Sequence, residues 1–179
     1  MAAVYFLAYR GKSPLSRMIR FLTAGDYSHV GLAVTMETNG GLRLWAPRFG
    51  ERPELELGAW GKWPWDVRVE VLLIDKEHRP GTEVDLFKLP CTESEAQAIF
   101  DFYLENEGAG YDWLGALTCL VRPKAEDKGR WFCSELAYAA CLSAGVKLLN
   151  EDRPHKVTPR IFFLSPYLKR VGQFQTREV

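Results

Sequence analysis

The chain has 179 residues, with 23 Lys+Arg against 23 Asp+Glu, 47% hydrophobic residues and 26% charged residues. This length buries a sizeable core and suits one domain across 1–179, and the composition excludes wholesale disorder. Balanced charge argues against a nucleic-acid binder working by bulk electrostatics, and no apolar run approaches the ~18 residues of a membrane span.

The opening Met1-Ala-Ala-Val-Tyr-Phe-Leu-Ala-Tyr-Arg10 lacks the charged and long apolar parts of a signal peptide, so a cytoplasmic protein is expected. Residues 2–9 are aromatic and β-branched enough for a strand. Ser13-Pro14 then supplies an N-cap and a first-turn proline. Leu15, Met18, Ile19 and Leu22 share one helical face opposite Arg17 and Arg20, and Gly25 ends the run. This basic amphipathic helix has two readings: contact with a membrane surface, or, favoured here, cover for a sheet edge.

His29–Met36 predicts a strand with two unlike faces. Val30, Leu32, Val34 and Met36 form an apolar face; His29, Gly31, Ala33 and Thr35 form one that is small apart from the histidine. Asn39-Gly40-Gly41 turns the chain into a strand over 42–46. Residues 47–65 carry prolines, glycines and three tryptophans, Trp60, Trp63 and Trp65, and read as an irregular segment. Strands are expected over 67–75 and 83–89, separated by a turn at His78-Arg-Pro-Gly81.

The second half reads as helical. Thr92-Glu-Ser-Glu95 is a capping box, and Ala96, Ile99, Phe100, Tyr103 and Leu104 form the face of a helix ending at Gly108. Helices follow over 111–120 and 131–145, with a polar loop between them and a surface-wrapping tail that includes the apolar 161–164. Strands first and helices later make this an α+β fold.

Four cysteines, Cys91, Cys119, Cys133 and Cys141, contain no C-x-x-C, and His29, His78 and His155 are scattered. Neither a metal nor a cofactor is expected, and the thiols are expected to be free. Cys133 is the one placed for chemistry. A thiol at a helix start meets the positive end of the macrodipole and unpaired backbone N–H groups, which favour the thiolate and offer oxyanion donors. If its helix packs on the small face of the 29–36 strand, His29 stands against the sulfur, giving an activated nucleophile and its base. Pattern alone also admits packing roles for both residues, and Cys91, Cys119 and Cys141 are assigned to the core.

Tyr27-Ser-His-Val-Gly-Leu32 followed a hundred residues later by Phe132-Cys-Ser-Glu-Leu-Ala137 resembles the circularly permuted branch of the NlpC-like papain-fold cysteine peptidases, and within it the YiiX-like group. Gly110-Tyr-Asp-Trp113 is similar to that family's Gly-x-Tyr-Asp segment, and Val157-Thr-Pro159 with Leu164-Ser-Pro166 to its C-terminal pattern. The resemblance implies a permuted papain-like fold: an antiparallel barrel-like sheet with the nucleophile helix packed on it. It also implies Cys133 as nucleophile, His29 as base and Tyr111 beside the thiol.

The implied activity is a cysteine peptidase or amidase, or a thioesterase or acyltransferase, acting through an acyl-enzyme on a peptide, peptidoglycan fragment or lipid-acyl substrate. The family places a third polar residue on the next strand, and that position falls on Trp45. An indole N–H donates but accepts nothing. Glu37, a backbone carbonyl or no third residue are the alternatives, and a non-catalytic module binding a peptide, glycan or lipid is the rival class.

Overall fold

The computed structural model describes residues 2–48, 51–62, 66–112 and 129–179. Helix and sheet are mixed, as the sequence predicts. Nine strands form one sheet that curls into a half-barrel. They are β1 (Ala2–Arg10), β2 (His29–Met36), β3 (Leu42–Leu44), β4 (Leu55–Lys62), β5 (Asp66–Leu73), β6 (Glu83–Cys91), β7 (Gly110–Tyr111), β8 (Arg130–Trp131) and β9 (Lys169–Gln175). The strand order is β8-β7-β5-β4-β2-β1-β6-β9, with β3 paired to β2 off that path. The β7–β8 pairing is parallel, and the others are antiparallel.

Local signals explain most of the helices. In α1 (Pro14–Leu22) the Ser13 hydroxyl accepts from the Ser16 N–H at 3.0 Å. Only Ile19 of its apolar face is buried, while Met18, Phe21 and Leu22 stay exposed. The short α2 (Ile74–Glu77) occupies the end of the strand expected over 67–75. In α3 (Glu93–Glu105) the capping box forms: the Thr92 hydroxyl accepts from the Glu95 N–H, and the Glu95 carboxylate accepts from the Thr92 N–H. The helix that begins at the candidate nucleophile is α4 (Cys133–Ser143). A helical turn at Pro154–Lys156 precedes α5 (Pro159–Phe163), whose N-cap is Thr158.

The sheet has two buried faces. Val4, Phe6, Ala8, Val30, Leu32, Val34, Leu57 and Val69 pack against α3 and α4 through Ile99, Phe100, Leu136, Ala137 and Ala140. Tyr5, Leu7, Tyr9, Ala33, Trp45, Ile74 and Val84 form the other cluster. The cysteine helix therefore packs on the apolar face of β2, and the expectation that it covers the small face is corrected. Three branched side chains bury more apolar area against a helix than Gly31 and Ala33 offer.

Other expectations also change. The irregular segment contains β4, the tail contributes edge strand β9, and Tyr111 lies in β7 where a helix was expected. The rest of that helix, 113–120, lies outside the described residues. Among the described residues no helix is long and apolar enough to cross a membrane.

Candidate functional site

Cys133 is the first residue of α4 and is 4% exposed. The residues after it fix its place. The Ser134 hydroxyl donates to the Val157 carbonyl at 2.6 Å, tying the helix start to the C-terminal segment. Glu135 accepts from the Phe132 N–H at 3.5 Å and caps the helix. Leu136 lies in the core below.

His29 opens β2 opposite Tyr9 of β1 and is 4% exposed. Its Nε2 stands 3.5 Å from Oε1 of Glu56, an ion-pair distance that leaves Nε2 without a hydrogen bond. The Cys133 thiol lies close enough to the same ring to interact with it. The imidazole, at the end of its strand, thus stands between the two layers, near both the Glu56 carboxylate and the Cys133 thiol. Burial pushes its pKa down, but the charge of Glu56 and the Cys133 hydrogen bond outweigh burial and raise it to about 10.

Glu56 was absent from the sequence reading. It is fully buried on β4, in register with Ala33 of β2. Burial alone would raise its pKa, but the charges of His78 and His29 overcome that and hold the carboxyl well below the usual carboxylate range. Its route to His29 crosses Gly31, where a Cβ would stand 2.1 Å from Oε2. The small face of β2 exists here to pass a carboxylate, not to seat a helix.

Trp45 does not occupy the orienting position. Its ring meets Tyr5 edge-on at 5.2 Å, and its backbone N–H donates to the Ala33 carbonyl. Strand β3 pairs only with the far end of β2, between Val34 and Met36. Glu37 lies at that far end too, 3.9 Å from Arg43, so it is also displaced from the role.

His78 completes the group. Its Nε2 is 2.8 Å from Oε1 of Glu56, and its ring stacks on Tyr9 at 4.0 Å. The helical turn of α2 places it there: the His78 N–H donates to the Ile74 carbonyl. Trp60 faces both imidazoles, with centroids 5.0 Å from His29 and 4.6 Å from His78. It belongs to a strand, and Trp63 and Trp65 lie outside the described residues.

Tyr111 is half-buried against the core and pairs with Trp131, two residues before Cys133. The sheet thereby brings the Gly-Tyr-Asp segment to the start of α4. Cys141 is fully buried and Cys91 half-buried, and both thiols are pushed up by burial. Cys119 is outside the described residues. A surface depression lined by Val34, Trp45, Arg52 and Leu55 lies at the opposite end of β2 from His29.

Thiol, imidazole and carboxylate stand in sequence on an α+β half-barrel, an arrangement able to hold and move one proton at the sulfur. That architecture is similar to the solved structure of the metalloprotein YiiX from Escherichia coli O157:H7, DUF1105, with a TM-score of 0.65 and 16% identity. The match covers 96% of this chain and 97% of that one, and it shows a shared fold. No family model and no curated protein matches the sequence.

Proposed function

We propose that the chain is a cysteine hydrolase in which Cys133 is the nucleophile, His29 the base and Glu56 the residue that orients and charges the imidazole. The observation that supports this most is the chain of contacts from Cys133 through His29 to a fully buried Glu56, with Gly31 clearing the carboxylate's path. In the forward step the sulfur, its proton already held on the His29 ring, bonds to a substrate carbonyl carbon. The imidazolium returns that proton to the leaving nitrogen, oxygen or sulfur as the acyl bond breaks. Once that proton has left, the neutral His29 takes a proton from water, whose oxygen bonds to the acyl carbon; the C–S bond breaks, the acid leaves and the proton returns from His29 to the sulfur site. Backbone N–H groups in the first turn of α4 are the donors for the developing oxyanion, and Tyr111 lines the approach.

The substrate class is an amide or (thio)ester, as in a peptide, a peptidoglycan fragment or a lipid-acyl group. A non-catalytic binding module drew its support from Trp45 at the orienting position; with Glu56 rather than Trp45 beside His29, the hydrolase is the better supported of the two readings.

Labelling of the native chain with iodoacetamide, followed by peptide mapping, tests the assignment. Cys133→Ala is expected to abolish the fast label and Cys119→Ala to leave it unchanged. Equal labelling of the two variants overturns the proposal.

A further inference from the structure

The hydrolase reading uses His29 and one oxygen of Glu56, and leaves His78 without a task. Buried polar atoms in folded proteins are nearly always paired, so a local excess of unpaired ones needs a cause. Among the described residues, six buried side-chain polar atoms lack a hydrogen-bond partner. Four of them surround this group: Tyr9 Oη, His29 Nε2, Glu56 Oε2 and Trp60 Nε1. Their side chains are in mutual ring contact or ion-pair range.

The ligand-capable atoms of His29, Glu56 and His78 all lie within 4.8 Å of one another. A tetrahedral ion with bonds of about 2.0–2.1 Å to nitrogen and oxygen spaces its ligand atoms by about 3.3 Å. The 3.5 Å between His29 Nε2 and Glu56 Oε1 already matches that edge, and the 2.8 Å to His78 Nε2 needs a shift of about half an ångström. Two imidazoles and one carboxylate are a donor set for borderline divalent transition ions such as Zn²⁺, not for Ca²⁺ or Mg²⁺, which prefer oxygen.

We propose that His29 Nε2, the Glu56 carboxylate and His78 Nε2 form a three-ligand site for a divalent transition-metal ion, with Cys133 outside the coordination sphere. The thiol is excluded because the donor atoms that gather within 4.8 Å of one another are those of His29, Glu56 and His78, without Cys133. Coordination uses the Nε2 lone pair, so the Nε2 proton leaves to solvent and the ring keeps its other proton on Nδ1. Tyr9 and Trp60 wall the site. Metal-bound and acid–base states of His29 are alternatives, because Glu56 cannot ligate an ion at Nε2 and accept an Nε2–H there together.

The site does not depend on the hydrolase reading, and the test keeps the two apart. Chelator-stripped full-length chain is incubated with Co²⁺ and followed by its visible absorption, and with Zn²⁺ followed by calorimetry. The wild type and Cys133→Ala are expected to bind one ion with equal affinity and to show no thiolate-to-cobalt charge-transfer band. His78→Gln, which retains the Cys133–His29 contact, is expected to weaken binding at least about tenfold. Should that variant not fold, the wild-type Co²⁺ complex is read by NMR, where paramagnetically shifted ring resonances from two histidines are expected. Absence of stoichiometric binding, a thiolate band lost in Cys133→Ala, undiminished binding by His78→Gln, or no shifted histidine resonances each overturns the proposal.

Discussion

Two carboxylates, Asp85 and Glu56, are both 0% exposed in the same sheet, yet they are held differently. Asp85 accepts from Arg10, Arg170 and the Tyr27 hydroxyl, each at 2.6 Å, and neither oxygen is left over. Its cations stay charged at every physiological pH, and burial together with its hydrogen bond pushes the Tyr27 phenol up to about 12. Glu56 has two histidines instead, one at hydrogen-bond distance and one at 3.5 Å, and its Oε2 has no partner. A permanently paired carboxylate locks β1, β6 and β9 together. A carboxylate paired with titratable, incompletely bonded rings keeps free-energy differences available for proton movement. The same residue class, equally buried, serves structure in one place and, in the proposed function, chemistry in the other.

The comparison breaks most visibly if Glu56 proves as purely structural as Asp85. Glu56→Gln keeps the shape but removes the charge that holds the His29 imidazolium. Turnover of an acyl-thioester probe is expected to fall by about 10²–10⁴-fold, with the folded circular-dichroism spectrum retained. A variant that turns over normally makes Glu56 a packing residue.

Asp85→Ala should behave the opposite way. It strands two arginines, and a loss of about 3 kcal/mol in unfolding free energy is expected. That is the low end for a broken buried pair, because Arg170 is 48% exposed and turns to water. Urea denaturation reads the loss, while the fraction still folded should alkylate Cys133 at the wild-type rate.

Stability against pH sharpens the contrast. The His29 pKa rises from 6.5 unfolded to about 10 folded, so the ring's stabilisation is complete below pH 6.5 and is lost as pH climbs from there through 10. Chelator-stripped wild type is expected to lose unfolding free energy across that interval, and Glu56→Gln to lose much less. Parallel curves for the two proteins would place the charge partner elsewhere.

The smallest effects come from two glycines. A Cβ at Gly31 would collide with Glu56 Oε2 at 2.1 Å, so Gly31→Ala must displace the carboxylate, at about 1–3 kcal/mol. At Gly58 the nearest atoms to a Cβ, the Val30 carbonyl and His29 Cε1, stand at 3.5 and 3.7 Å, and Gly58→Ala is expected to be neutral within about 1 kcal/mol. Only the first substitution should slow Cys133 alkylation.

The sequence was most legible where one residue type decides a local structure. Ser13-Pro14 and the Thr92–Glu95 box mark helix starts because their hydrogen bonds are made within four residues. The alternation of β2 shows its two faces, and Cys133 at a helix start follows from the pattern around it. Glu56 was hidden for two reasons. Its strand alternates Leu55, Leu57 and Ala59 with Glu56, Gly58 and Trp60, but the glycines and flanking prolines resemble loop composition. A glutamate on the polar side of such a strand also reads as solvent-facing, and only the curled sheet buries it. His78 was hidden likewise, since nothing local announces that a turn residue folds back onto Tyr9. Strand β9, Lys169–Gln175, is mostly exposed and polar, as edge strands often are, and lacked a hydrophobic period.

The central claim is that Cys133 becomes acylated with help from His29. Incubating the native chain with an aryl thioester, quenching in acid and mapping the acyl group by mass spectrometry tests it directly. The account predicts one acyl group on Cys133, absent in Cys133→Ala and formed at least about a hundredfold more slowly in His29→Gln. Acylation at another cysteine, or an unchanged rate in His29→Gln, would contradict it.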